Sequence, residues 1–253
     1  MLEILTWAPI AIIPLFLLLD LVYSARRYKR PRFWRLYSLV VTLLAVAASF
    51  GVGMFWTAVL PEFSLFNLGW MGAWGAIIGV LVHQTAHYWY HRTAHAWNPL
   101  WRAAHQMHHS PESLDAFGAY YLSPLDVFNF TSVGILVSFP LLGLDPMAGA
   151  LVALFGGFSA LFQHANIRTP RWVGYFIQRP EAHSLHHNQH RYNYADLPLI
   201  DMLFGTWRNP ALHAESVGFY QGASKRIPEM LVGIDVSTRR EPETKRQTRP
   251  IAA

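Results

Sequence analysis

Residues 65–110 read LFNLGWMGAWGAIIGVLVHQTAHYWYHRTAHAWNPLWRAAHQMHHS. Eighteen uncharged positions, 65–82, pass without a break into seven of the chain's thirteen histidines. A run of that length and apolarity is the size of a membrane-spanning helix, so the histidines emerge where a span ends. Further along, His183, His186 and His187 repeat the H-x-x-H-H pattern of His105, His108 and His109, and His164 lies between the two clusters. Only His213 falls outside positions 83–190. The rest of the chain reads as the scaffold that brings these imidazoles together.

Composition supports a membrane scaffold. Hydrophobic residues are 53% of the 253, charged residues 14%, and mean hydropathy is +0.20; soluble domains carry nearer a quarter charged residues. The absence of cysteine excludes disulfides, thiolate ligands, Fe–S clusters and a cysteine nucleophile. The net charge of +5 is concentrated in a few loops, which fits membrane topology better than nucleic-acid binding; no nucleic-acid module is visible.

Working outward from the opening stretch, residues 2–22 form an apolar block that reads as a retained span. It carries Glu3 in place of a basic n-region and shows no small-residue cleavage site. RRYKRPRFWR, residues 26–35, holds six Lys/Arg and by the positive-inside rule marks a cytoplasmic loop. Residues 36–60 are uncharged and long enough to cross. Pro61-Glu62 marks the outer turn, and 65–82 return as a helix with Gly69, Gly72, Gly75 and Gly79 on one packing face. Beyond the first histidines, 127–142 and 147–163 are joined by Gly143-Leu144-Asp145-Pro146. Each is short for a full span, so they cross with local thinning or form a re-entrant hairpin; either way the chain comes back to the side it left. His83–His109, His164 and His183–His190 then share one face, the cytoplasmic one. The expected fold is an all-α integral membrane protein of about four to five transmembrane or membrane-embedded helices with a histidine-rich helical cap. Its regions are 1–82 (three spans), 83–234 (histidine boxes with the hairpin 127–163) and 235–253 (a polar, disordered tail). Most tryptophans, Trp34 and Trp56 among them, fall at span ends, as an aromatic belt requires.

On a helix, i, i+3 and i+4 share a face, so His105, His108 and His109 point together, as do His183, His186 and His187, and His91 pairs with His95. Neutral imidazole is the commonest metal ligand. The stripe His83, His87, His91, His95 drifts: each i+4 step overshoots a turn by about 40°, and the stripe rises about 18 Å. All four cannot serve one compact centre. His91 and His95 are the expected ligand pair, His87 a supporting residue, and His83 a packed histidine at the membrane edge. His190 reads as exposed or supporting, and His164, taken alone, as interfacial. Eight or nine imidazoles exceed the four ligands of one zinc and fit two metals. Imidazole suits iron, zinc and copper alike. A metal site at a membrane face points to a lipid substrate and to an oxidant able to attack unactivated C–H bonds.

YWYHRTAH, LWRAAHQMHHS, FQHANI and EAHSLHHNQHRYNYADLPLIDMLFGTW together resemble the fatty acid hydroxylase/sterol desaturase superfamily of membrane non-haem di-iron enzymes, in order and spacing, over about residues 65–207. The resemblance implies O2-dependent hydroxylation or desaturation of a fatty acyl, sterol or other isoprenoid lipid. It implies two iron ions held by His91, His95, His105, His108, His109, His164, His183, His186 and His187, and a separate electron donor of ferredoxin, cytochrome b5 or reductase type. Asn193 and Asp201 match the family's Asn-Tyr-Gly…Trp-Asp-x-x-Phe-Gly-Thr run. Asp201 either orients a ligand histidine or caps a loop. The chain departs from the family at Gln84, where an acid is common, at His87, where tyrosine is common, and at Ser123, where Ser123-Pro124-Leu125-Asp126 replaces His-Pro-x-Glu. Two rival classes fit less well. A metal transporter needs polar ligands within its spans, and a zinc hydrolase needs a general base such as the glutamate of H-E-x-x-H, which no histidine pair here encloses.

Overall fold

The computed structural model describes residues 2–60 and 63–238. Among them there are helices, turns and loops but no strand. The expected turn at Pro61-Glu62 and most of the expected tail, 239–253, lie outside the described residues. Helix α1 is Leu2–Val22, α2 Trp34–Val59 and α3 Gly75–Ala96. A short helix, α4, covers 98–109 and contains a π turn at Trp101–His105. Helix α5, Pro124–Leu136, runs on through a second π turn, Val137–Leu141; α6 is Pro146–His164, α7 Pro180–Gln189, α8 Pro198–Leu203 and α9 Ile227–Leu231.

Three of these stretches are long and apolar enough to cross a membrane: Trp34–Val59, Pro124–Leu141 and Pro146–His164. The last two, at 18 and 19 residues, exceed the 16 or 17 read from hydropathy alone because their ends are polar caps. Ser123 Oγ accepts from the Asp126 N–H at 3.1 Å, and Asp145 Oδ1 accepts from the Met147 N–H at 2.8 Å. Each cap is followed by proline at the first helical position, where no N–H is needed.

The return stretch 65–82 is not one helix. Leu65, Phe66 and Leu68 donate their N–H groups to the carbonyls of Pro140, Leu141 and Leu142. A 3₁₀ segment, Gly69–Trp74, follows, with Gly72 at φ 54°, ψ −139°, a conformation only glycine adopts readily. Helix α3 starts after it, so the four glycines do not share one helical face. Gly79 still serves close packing: a Cβ there would stand 2.6 Å from Val152 and 2.8 Å from Leu144.

Helix α1 packs along α6, α2 along α5, and α3 along α6. The boundary expected at residue 82 falls inside α3. One end of the bundle gathers the α2–α3 and α5–α6 connections. The other gathers the basic stretch 26–35 and the histidines. There the Arg26 N–H meets Asn166 Oδ1 at 2.9 Å, Arg30 pairs with Asp115 at 3.1 Å, and Tyr28 donates to the Ala214 carbonyl. Trp34 is buried rather than in a surface belt, its Nε1–H donating to Asp115. Beyond α9 the chain straps α4: Arg102 Nε donates to Gly233 O, Gln106 Nε2 to Ile234 O, and Gln106 Oε1 accepts from the Val236 N–H. Val236 is fully buried beside Trp34, so the first residues of the expected tail belong to the packed body.

Candidate metal centre

Nine histidines from α3, α4, α6 and α7 converge in two adjoining groups. His91, His95, His105, His109 and His186 form one; His108, His164, His183 and His187 form the other. Within each group the ligand nitrogens lie within 4.8 Å of one another, and all nine residues are buried except His95, which is half-buried. The helical logic is direct. The i, i+4 pairs His105–His109 and His183–His187 bring their Nε2 atoms to 3.1 Å, and His91–His95 to 3.3 Å. The i+3 members, His108 and His186, sit on the flank of each helix and join the opposite group. That crossing explains why the two H-x-x-H-H boxes do not each hold one site.

His164 closes the second group, its Nε2 3.2 Å from His108 Nε2 and 3.1 Å from His183 Nε2. Two nitrogens bound to one ion at about 2.1 Å stand roughly 3.0–3.4 Å apart at right-angled to tetrahedral geometry, so these separations suit a shared cation.

The other ring nitrogen of several imidazoles is pinned. His91 Nδ1 faces Tyr194 O, His164 Nδ1 faces Ala160 O and His186 Nδ1 faces Tyr192 O, each at 2.7 Å; His105 Nδ1 faces Asp126 Oδ2 at 2.7 Å. Those oxygens only accept, so Nδ1 carries the proton and Nε2 the lone pair. In the first group His91, His105 and His186 thus turn three lone pairs into one buried space, and His186 Nε2 has no hydrogen-bond partner there. His95 and His109 can each donate to one of the other two lone pairs, but that of His186 meets no donor, and a cation would satisfy all three at once. Burial, reinforced by neighbouring imidazoles, holds His108, His109, His183, His186 and His187 well below the usual histidine range. They are neutral at pH 7, as ligands must be.

A cavity of about 920 Å³ runs from this centre into the helical bundle. His91, His105, His108, His164 and His183 line its inner end, and Ile13, Ala45, Val152 and Gly156 its apolar length.

The fatty acid hydroxylase profile matches residues 76–206 of this chain. The chain belongs to the fatty acid hydroxylase family. With its three apolar helices, it is an integral membrane protein. Over 155 residues it is 31% identical to the alkylglycerol monooxygenase of Homo sapiens, covering 59% of this chain and 34% of that protein. It is 29% identical over 168 residues to a very-long-chain aldehyde decarbonylase of Oryza sativa subsp. japonica, covering 59% and 26%. It is 24% identical over 151 residues to sphinganine C4-monooxygenase 2 of Arabidopsis thaliana, covering 57% and 58%. The match thus spans about a quarter to a third of the first two relatives. No solved structure matches.

The family's outer positions have specific places here. Asp201 touches no histidine. Its carboxylate accepts from the Tyr194 and Ala195 N–H groups at 2.8 Å and from Thr206 Oγ1 at 2.7 Å. It is a loop cap, and it reaches His91 only through the Tyr194 carbonyl. Asn193, at φ 57°, holds the same loop by donating to Ala182 O and accepting from the Arg208 N–H. His190 ends α7 in the left-handed conformation, φ 58°, with its ring 4.7 Å from His109; burial lowers its pKa to about 4. His87 stacks on Phe130 and lies 5.7 Å, ring to ring, from His91.

Four polar residues gain roles that sequence reading did not give them. Asp126 sits where the family pattern has Glu, and it holds His105 while accepting from Tyr90 Oη at 2.5 Å. The signal for it was the His-Pro-x-Glu register. Gln178, beside His183 Nδ1 at 3.2 Å, left none. Gln84, where an acid is common, donates to Asp196 Oδ2 at 2.8 Å and accepts from the Asp196 N–H. An acid at 84 would oppose the Asp196 carboxylate.

Proposed function

We propose that this protein is a di-iron, O2-dependent oxidoreductase that hydroxylates or desaturates a membrane lipid. One observation carries the reading: nine imidazoles from four helices in two adjoining buried groups, with lone pairs converging at the mouth of an apolar cavity. Family membership supports it, since the family is one of iron-dependent oxygenation. His91, His95, His105, His109 and His186 would hold one iron, and His108, His164, His183 and His187 the other. When bound, the pair supplies reductive activation of O2 for attack on an unactivated C–H bond.

The chain's own residues do the rest. Asp126 fixes the ring of His105, Tyr90 fixes Asp126, and backbone carbonyls fix His91, His164 and His186, so the ligands are set before substrate arrives. The cavity's size suits a single ligand chain, and its apolar walls keep bulk water from the centre. Among the described residues no free carboxylate base stands beside the histidines: Asp196, which lines the cavity, is held by the amides of Gln84 and Gln163, and Asp126 is taken up by His105 and Tyr90. That favours oxidation over metal-assisted hydrolysis. The basic stretch 26–35 lies at the same end as the histidines, which by the positive-inside rule supports a cytoplasmic-face site. Electrons then come from a separate soluble or membrane-attached redox protein, of ferredoxin, cytochrome b5 or reductase type.

The test is metal analysis with product identification. Protein loaded with iron without oxygen, then given O2 and reductant with extracted lipid, should hold about two irons per chain and yield a product gaining one oxygen atom or losing two hydrogens. Zinc alone, with no oxidised lipid under any donor, would sink the reading.

A further inference from the structure

Two histidines on the cavity wall take no part in the metal groups. His83 and His87 lie four residues apart on α3, their ring centroids 5.9 Å from each other, and both line the cavity. His83 is only 8% exposed. Its ring sits between two glycines of the facing helices. A Cβ on Gly134 would lie 3.7 Å from its Nε2, and one on Gly156 3.8 Å from its Cε1. Its Nδ1 is sealed within the protein, while its Nε2, which has no hydrogen-bond partner among the described residues, is the nitrogen left open to the cavity. A polar group left unpaired in an apolar wall is destabilising, and a valine or leucine would fill the same wall without that penalty. The site is therefore built for something that hydrogen-bonds.

The chemistry of that something follows from its surroundings. Among the described residues no Lys or Arg lines the cavity, and the one carboxylate that does, Asp196, is held by the amides of Gln84 and Gln163. A charged headgroup would find no counter-charge. A neutral oxygen fits, because a neutral imidazole offers a donor or an acceptor according to tautomer. His83 precedes the cluster residue His91 by eight positions, about 12 Å along the helix.

We propose that His83 is a recognition subsite for an uncharged oxygen function, a hydroxyl, ether or carbonyl, carried by the lipid about 12 Å along its body from the carbon that is oxidised. The substrate is then a lipid with a second oxygen within its apolar part, not a plain alkyl chain. This rests on the lipid-oxidation reading above, but it is tested without turnover.

Iron-loaded protein in nanodiscs, kept free of oxygen and reductant, is titrated with octadecan-1-ol and with octadecane diols whose second hydroxyl is walked along the chain. The wild type should bind one diol about tenfold more tightly than octadecan-1-ol, the size of one buried hydrogen bond. In His83→Phe that ratio should fall to about one, and in His83→Asn it should recover in part. Iron content and melting temperature report that each variant is folded. A wild-type ratio near one at every hydroxyl position overturns the proposal even if no variant folds, and so does a preference that survives in His83→Phe. A protein that keeps the preference but oxidises no lipid leaves the subsite standing and sinks the oxidation reading instead.

Discussion

Helix α3 carries four histidines at equal four-residue intervals, and its two halves do different things. His91 and His95 join three imidazoles from α4 and α7. His83 and His87 face the cavity, with Phe130 and two glycines as their neighbours. Spacing on one helix is the same in both halves; what differs is which other helices come near. A histidine stripe becomes a metal site only where separate elements deliver further imidazoles and where carbonyl or carboxylate acceptors pin the outer nitrogens. His91 has Tyr194 O for that purpose, whereas Nδ1 of His83 has no partner.

That division can be broken most directly by removing one histidine from each half. His91→Ala should lower iron affinity by more than about 100-fold, since loss of an outer partner alone costs 10–100-fold; iron titration with single-turnover assays measures it. His87→Ala should leave iron content unchanged. Equal loss from both variants would erase the distinction. Next in size is Asp126→Asn, which keeps an acceptor for His105 but removes its charge. Iron affinity should fall about 10–100-fold, and Tyr90→Phe, which removes only the hydroxyl on Asp126, should cost less in the same titration.

Protonation sharpens the same contrast. Burial keeps His109, His183, His186 and His187 well below 6.5 in the folded chain. The unfolded chain therefore binds more protons as pH falls below about 6.5, and stability is lost in that direction. Metal-free protein should melt progressively lower below about pH 6.5 and be flat above it, while iron-loaded protein should resist longer. The smallest effect is expected away from the cluster. Gln84→Glu sets a carboxyl against Asp196 and removes an N–H donor. It should cost about 1–3 kcal/mol near neutral pH, with partial recovery in acid, where the new carboxyl keeps its proton. Thermal melts at two pH values decide it.

Helix-face spacing made much of the site legible. The two H-x-x-H-H boxes and the His91–His95 pair lie within single helices, so the i, i+3, i+4 rule suffices to place their side chains together. His164 was not legible from spacing, because its neighbours His108 and His183 arrive from helices far along the chain; only the family resemblance brought it in. The pairing of His108 with α7 and of His186 with α3 and α4 was hidden for the same reason. Asp201 looked equally able to orient a ligand or cap a loop, and local pattern cannot separate the two, since the difference is whether an imidazole lies within reach. Hydropathy over 65–82 is uniform and carries no sign of the interruption at Gly72, because the backbone there follows hydrogen bonds from Leu65–Leu68 to the α5 end. Trp34 is buried rather than in the belt that its position at a span end suggests, because hydropathy does not distinguish a ring facing lipid from one packed on a buried carboxylate.

The strap from Gly233 to Val236 over α4 sets an order of events at the ribosome. Arg102 and Gln106 find their carbonyl partners only after residue 234 has been made, and His91 finds its own only after Tyr194. The membrane helices through α6 are complete well before then. Under the di-iron reading proposed above, the ligand set is therefore complete and pinned only once residues 183–194 have reached α3 and α4, and it is strapped only once residues 233–236 have followed.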